Sequence, residues 1–141
     1  YSKIISLHKG NYNLNQVFPG GSIAIETELD PTLTKADSLS GAVISTKNSL
    51  PEIVDKIKMD YQLFKKMQQD LKIHEIQDIK TSEILMLSAN TSITVGRVTK
   101  KIDNEIELEL KIPIVPLKNK PIGIARNING HWRLIGYGNL K

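Results

Sequence analysis

From Asn104 to Ile112 the chain alternates, with Ile106, Leu108, Leu110 and Ile112 interleaved with Glu105, Glu107, Glu109 and Lys111. A pleated strand sends successive side chains to opposite faces, so this spacing predicts one core face and one wet face. Ile84 to Ser88 is apolar on both faces and reads as a strand buried on two sides, and Ile93 to Thr99 contributes Ile93, Val95 and Val98 among β-branched neighbours. Asp103-Asn104 punctuates a hairpin. Pro121 to Ile128 and His131 to Leu140 form two further strands joined through Asn129-Gly130, a dipeptide suited to the positive φ angles of a type I′ turn. On the last strand Trp132 and Leu134 share a face, and Trp132 is expected to plug the core.

Glu52 to Leu71 is ambiguous. Ile53, Ile57, Tyr61, Phe64, Met67 and Leu71 recur at helical spacing, yet Ile57, Met59, Tyr61 and Leu63 also alternate with Lys58, Asp60 and Gln62 as on a strand. The first forty-five residues offer strands at Lys3 to His8, Ser22 to Thr27 and Ala42 to Ser45, with a loop from Asp30 to Gly41. Three short strands leave open edges, which implies partner strands upstream. Tyr1 in place of an initiating Met agrees with a chain that begins inside a longer polypeptide or after processing. Short strands between turn residues make the whole an all-β protein of barrel or sandwich type.

Composition narrows the classes. With 40% hydrophobic and 24% charged residues the chain carries enough apolar material for a core. No stretch matches a bilayer-spanning helix or a signal peptide, so no membrane partner is expected. The absence of cysteine excludes disulfides and thiolate metal sites and fits a reducing cytoplasm. A net charge of +4 is a mild basic bias, compatible with RNA.

Candidate chemistry is sparse. No glycine-rich loop ends in Gly-Lys-Ser/Thr, and Pro19-Gly20-Gly21 reads as a tight turn. His8, His74 and His131 lack the spacing of a helical metal pair, and no Gly-x-Ser-x-Gly elbow presents a nucleophile, so neither a metal site nor catalytic residues are expected. The row Glu105, Glu107 and Glu109 lies on the wet face and repels phosphates. His131-Trp132-Arg133 with Tyr137 offers stacking and phosphate contacts as an alternative to core packing.

Three segments carry a resemblance: Pro19-Gly20-Gly21 followed by Asp30-Pro31-Thr32-Leu33-Thr34-Lys35-Ala36-Asp37, then Glu83 to Ser88, then His131 to Gly138. In this order they resemble the second and third domains of the gamma subunit of archaeal and eukaryotic translation initiation factor 2. The resemblance covers nearly the whole chain and implies a strand, not a helix, over Ile53 to Phe64. It implies residues 1–45 as the end of the second barrel, 46–50 as a linker and 51–141 as a complete third barrel. The family's first domain, which binds GTP and magnesium, is absent from this chain, so no cofactor is expected here. Implied partners are methionylated initiator tRNA, the alpha and beta subunits and the small ribosomal subunit. Lys35 is the foremost candidate for a phosphate contact, followed by Arg97, Arg126 and Arg133, while Asp30, Pro31, Asp37, Trp132 and Gly136 mark fold or interdomain positions. Two departures stand out. The loop from Lys65 to Ile79 matches poorly, and Tyr137 stands where the family commonly has tryptophan. Elongation factor Tu and the selenocysteine-specific factor share such barrels, and a freestanding β-barrel interaction domain is the alternative outside this class.

Overall fold

The computed structural model describes residues 1–69, 72–117 and 119–141. The chain divides into two compact units, Tyr1–Ser40 and Gly41–Lys141.

The first unit is a three-stranded antiparallel sheet in the order β2-β1-β3, with β1 at Ile4–Lys9, β2 at Tyr12–Leu14 and β3 at Ala24–Thr27. Gly10, at φ +60°, turns β1 into β2, a strand too short for the alternation to reveal. None of residues 1–40 is buried, and Ile4, Ile5, Tyr12 and Phe18 lie exposed. The Asp30 to Gly41 loop is partly ordered. Asp30 caps short 3-10 turns over Pro31–Asp37, its Oδ1 accepting from Thr32 N at 2.8 Å and Thr32 Oγ1 at 2.7 Å.

The second unit is a closed six-stranded antiparallel barrel in the order β10-β11-β4-β9-β8-β7. Its strands are β4 (Val54–Leu63), β7 (Ile84–Ala89), β8 (Ser92–Ile102), β9 (Glu105–Ile114), β10 (Ile122–Ile128) and β11 (His131–Leu140). β4 resolves the ambiguous segment as a strand, with Ile57, Met59 and Tyr61 facing the core. These pack with Leu85, Leu87, Val98, Ile106, Leu108, Leu110, Ile122, Ile124 and Ile135. The turn at Asn129 (φ 53°) and Gly130 (φ 83°) closes the β10–β11 hairpin as the dipeptide requires. Between β4 and β7, β5 (Lys66–Gln69) and β6 (Lys72–Glu75) pair as a separate hairpin where a loop was expected. Asp70 and Leu71 of that stretch lie outside the described residues.

Four expectations need correction. Ala42 to Ser45 is not a strand, because no partner strand runs beside it. Ile112 is 56% exposed and Ile114 takes the core position instead. The switch occurs where Thr94 replaces a ladder partner: its Oγ1 donates to Ile112 O (2.8 Å) and accepts from Ile112 N (3.1 Å). Ile84 to Ser88 is buried on one side only, since a closed barrel has a single interior, and Ile93 likewise faces outward. Trp132 does not plug the core. Ile124 pairs with Gly136 and Ala125 with Leu134, so Ile135 is the extra residue of a β-bulge. Up to the bulge the odd positions Arg133 and Ile135 point inward, and beyond it Gly136, Gly138 and Leu140 do. Trp132 precedes the switch and is 39% exposed, beside Leu134 on the outer face.

Candidate interaction surface

The outer face of β8, β7, β10 and β11 is apolar. Register aligns Val95, Met86, Ala125 and Leu134 in one cross-strand row, and Ile93, Ser88, Gly123 and Tyr137 in the next. A Cβ added at Gly123 would touch Leu134 Cδ1 at 3.4 Å and Ser88 Cβ at 3.6 Å, so Leu134 lies across the strands over that glycine. Tyr137 extends the face to Phe64, with ring centroids 6.2 Å apart, and its hydroxyl donates to Gln62 Oε1 at 2.6 Å. Ile84, Ile93, Leu134 and Trp132 all remain substantially exposed. A contiguous apolar surface rimmed by polar groups is the mark of an interaction site rather than of a solvated wall. The signal was present in Ile84-Leu85-Met86-Leu87: a strand apolar on both faces either lies between two layers or carries an interface.

The three arginine candidates separate. Arg97 stands on the outer face, opposite Ile84 and Glu109 in register, and is exposed. Arg126 and Arg133 face each other across β10 and β11 on the inward side at one barrel mouth. Arg126 is committed to the fold. Its Nε meets Glu83 Oε1 at 2.5 Å, Nη2 meets Glu83 Oε2 and Asp78 O at 3.2 Å each, and Nη1 donates to Gln77 O at 2.8 Å. A guanidinium with its fork occupied this way has little left for a phosphate. Arg133 is half-buried, and its Nε finds no partner among the described residues.

The Arg126 clamp ties the segment before β7 across the barrel mouth, where Ile79 enters the core at 2% exposure. Asp78 secures the same segment by accepting from Tyr61 Oη (2.6 Å) and Ile79 N (2.8 Å) while pairing with Lys101 (2.9 Å). The hydrogen bond from Tyr61 leads the influences holding the Asp78 carboxyl below its ordinary pKa. Burial, aided by Asp78, pushes the Tyr61 phenol up to about 12.

The glutamate row is laced with lysines. Glu105 pairs with Lys58 at 3.0 Å and with Lys141, and these contacts lower its pKa, Lys141 foremost. Cross-strand neighbours Lys58 and Glu107, and Lys56 and Glu109, continue the pattern. This is a solvated ion-pair face.

Gly136 and Gly138 let β11 approach β4. A Cβ at Gly136 would land on Gln62 O and 2.9 Å from Leu63 Cα, and one at Gly138 would strike Asp60 O and the Met59 methyl. Asp30, Pro31, Lys35 and Asp37 belong to the other compact unit. Lys35 is exposed there, in extended conformation (φ −75°, ψ 147°) just before Ala36 and Asp37 at positive φ. Among the described residues no group of His, Asp and Glu is arranged to hold a metal ion, and no helix is long and apolar enough to cross a membrane.

Comparison with known proteins adds a second line of observation. The family described as initiation factor eIF2 gamma, C terminal, matches residues 55–140. A translation initiation factor 2 subunit gamma from Methanococcus maripaludis is 41% identical over 137 residues, covering 97% of this chain and 33% of the relative. The subunit of the same name from Aeropyrum pernix is 38% identical over 141 residues, covering 100% of this chain and 34% of its own length. That from Pyrococcus abyssi is 36% identical over 143 residues, at 99% and 34%. The chain thus spans about a third of the length of the curated relatives it matches.

Proposed function

Because the chain belongs to the initiation factor eIF2 gamma C-terminal family, we propose that it is the tRNA- and subunit-holding part of a translation initiation factor, acting in the cytoplasm. The reading rests above all on one observation: similarity to subunits of that name runs over nearly the whole chain. In this reading residues 1–45 end a second barrel, 46–50 link, and 51–141 form the third barrel. Its partners are methionylated initiator tRNA, the alpha and beta subunits and the small ribosomal subunit.

Nucleotide chemistry belongs to another part of the whole protein. Residues 1–141 contain no glycine-rich loop ending in Gly-Lys-Ser/Thr to cradle phosphates. No GTPase step is assigned to them, and the chain is a binding module.

Two surfaces divide the work. The apolar outer face carrying Trp132 and Leu134 is the interdomain surface, because leaving such a patch wet favours association. Lys35 in its exposed loop is the leading phosphate contact, with Arg97 and Arg133 secondary.

Filter binding of initiator tRNA to the chain and to Lys35→Ala tests this. Losing one phosphate contact should weaken binding and reduce the slope of log K against log salt by about 0.7 to 0.9. An unchanged slope in Lys35→Ala would remove Lys35 from the interface.

A further inference from the structure

The connection into the barrel is tied to a barrel strand at its start. Ser92, the first residue of β8, donates from Oγ to Gly41 O at 2.8 Å. Gly41 has φ +80°, and a Cβ there would lie 3.0 Å from Ser92 Oγ, 3.2 Å from Ser92 Cα and 3.4 Å from Ser92 Cβ. A β-carbon is therefore disfavoured twice, by backbone conformation and by the tight approach to Ser92. The division into compact units falls immediately before this contact, between Ser40 and Gly41. Val43 is half-buried. Farther along, Ser49 N and Oγ both donate to Thr46 O, at 3.2 and 2.6 Å, while Ser45 Oγ and Ser49 Oγ lie 2.7 Å apart and Asn48 adopts φ 62°. The chain then enters β4 at Val54.

From this geometry we infer that residues 41–53 form a strap fastened to the barrel at its leading end, residues 41–43, with Gly41 and Ser92 as its clasp. A connecting segment has no ladder to satisfy its carbonyls, so a side-chain donor that captures one fixes the path of the backbone. Ser92 is well suited to this. It opens a strand at a tight turn, and its backbone is already held opposite Ala89. The strap is a property of the barrel's own residues and stands independently of the proposed role in translation.

Backbone ¹⁵N relaxation of the 141-residue chain and of its Ser92→Ala and Gly41→Ala variants tests the clasp, with thermal unfolding of each as control. The unsubstituted chain should show barrel-like order from Gly41 through Val43. Both variants should lose that order with the barrel's unfolding midpoint unchanged, Gly41→Ala more completely because it also meets the steric block. Should a variant lower the midpoint, Ser92→Thr, which keeps the hydroxyl, decides: it retains order at Gly41 if the clasp exists. The inference is overturned if residues 41–43 of the unsubstituted chain move like a free terminus, if both variants leave their order intact, or if Ser92→Thr behaves as Ser92→Ala.

Discussion

The Tyr61 hydroxyl donates to Asp78 Oδ1 at 2.6 Å, joining the end of β4 to the segment that closes the barrel's mouth. The two groups set opposite pH limits. Asp78 has a depressed pKa in the folded state, so its contribution is present above its ordinary value of 3.8 and fades as pH falls through the folded value. Tyr61 has a raised pKa, so its contribution is complete below 10 and is lost as pH climbs toward about 12. Tyr61→Phe should therefore flatten the decline in urea midpoint between pH 10 and 12, and Asp78→Asn should flatten the acid limb. Unchanged limbs in both variants would mean the pair does not hold the mouth closed.

Arg126 and Glu83 form the second tie on that segment, each side chain 18% exposed. A double-mutant cycle with Arg126→Ala and Glu83→Ala should give a coupling of about 1 to 3 kcal/mol by denaturant unfolding. Arg126→Lys should recover only part of it, because an ammonium cannot reach Glu83 and two carbonyls with a planar fork. Coupling near zero would make the contact ornamental.

At Gly136 the barrel admits no side chain. Gly136→Ala drives a methyl into Gln62 O and the Leu63 backbone and should destabilise the chain by roughly 1 to 3 kcal/mol or more, the usual cost of overpacking against a rigid neighbour. The urea midpoint measures it. A neutral result would show that β11 can move away from β4 at little cost.

Trp132→Ala should cost far less than the roughly 3 to 5 kcal/mol of a buried aromatic, because the ring lies on the outer face. Its effect should appear in association with the rest of the factor instead, as weaker pull-down of a fragment carrying the remaining domains. A core-sized loss of stability would return Trp132 to the interior.

The two outcomes for β9 and β11 show how far local pattern reaches. The alternation from Glu105 to Leu110 specifies its strand and its inward face because nothing interrupts the pleat. Two residues later Thr94 inserts its hydroxyl into the ladder and Ile112 turns out, an event set by a distant side chain. In β11 the pairing of Trp132 with Leu134 is legible, but which face is inside depends on the bulge at Ile135, and no residue type announces it. Arg126 could be named as a secondary phosphate candidate, whereas its engagement by Glu83, Gln77 and Asp78 needs the fold to bring them together. The apolar outer face was written in Ile84 to Leu87 and was misassigned to a second buried layer. Gly41 offered no cue to its partner in β8.

We propose that this chain holds tRNA by a few cationic contacts, with nucleotide chemistry in another part of the factor. Titration of methionylated initiator tRNA over a series of salt concentrations tests it most directly. The account predicts weak binding whose log K falls linearly with log salt, with a slope corresponding to only a few phosphates. Tight binding that is indifferent to salt would contradict it, as would no binding even at the lowest salt.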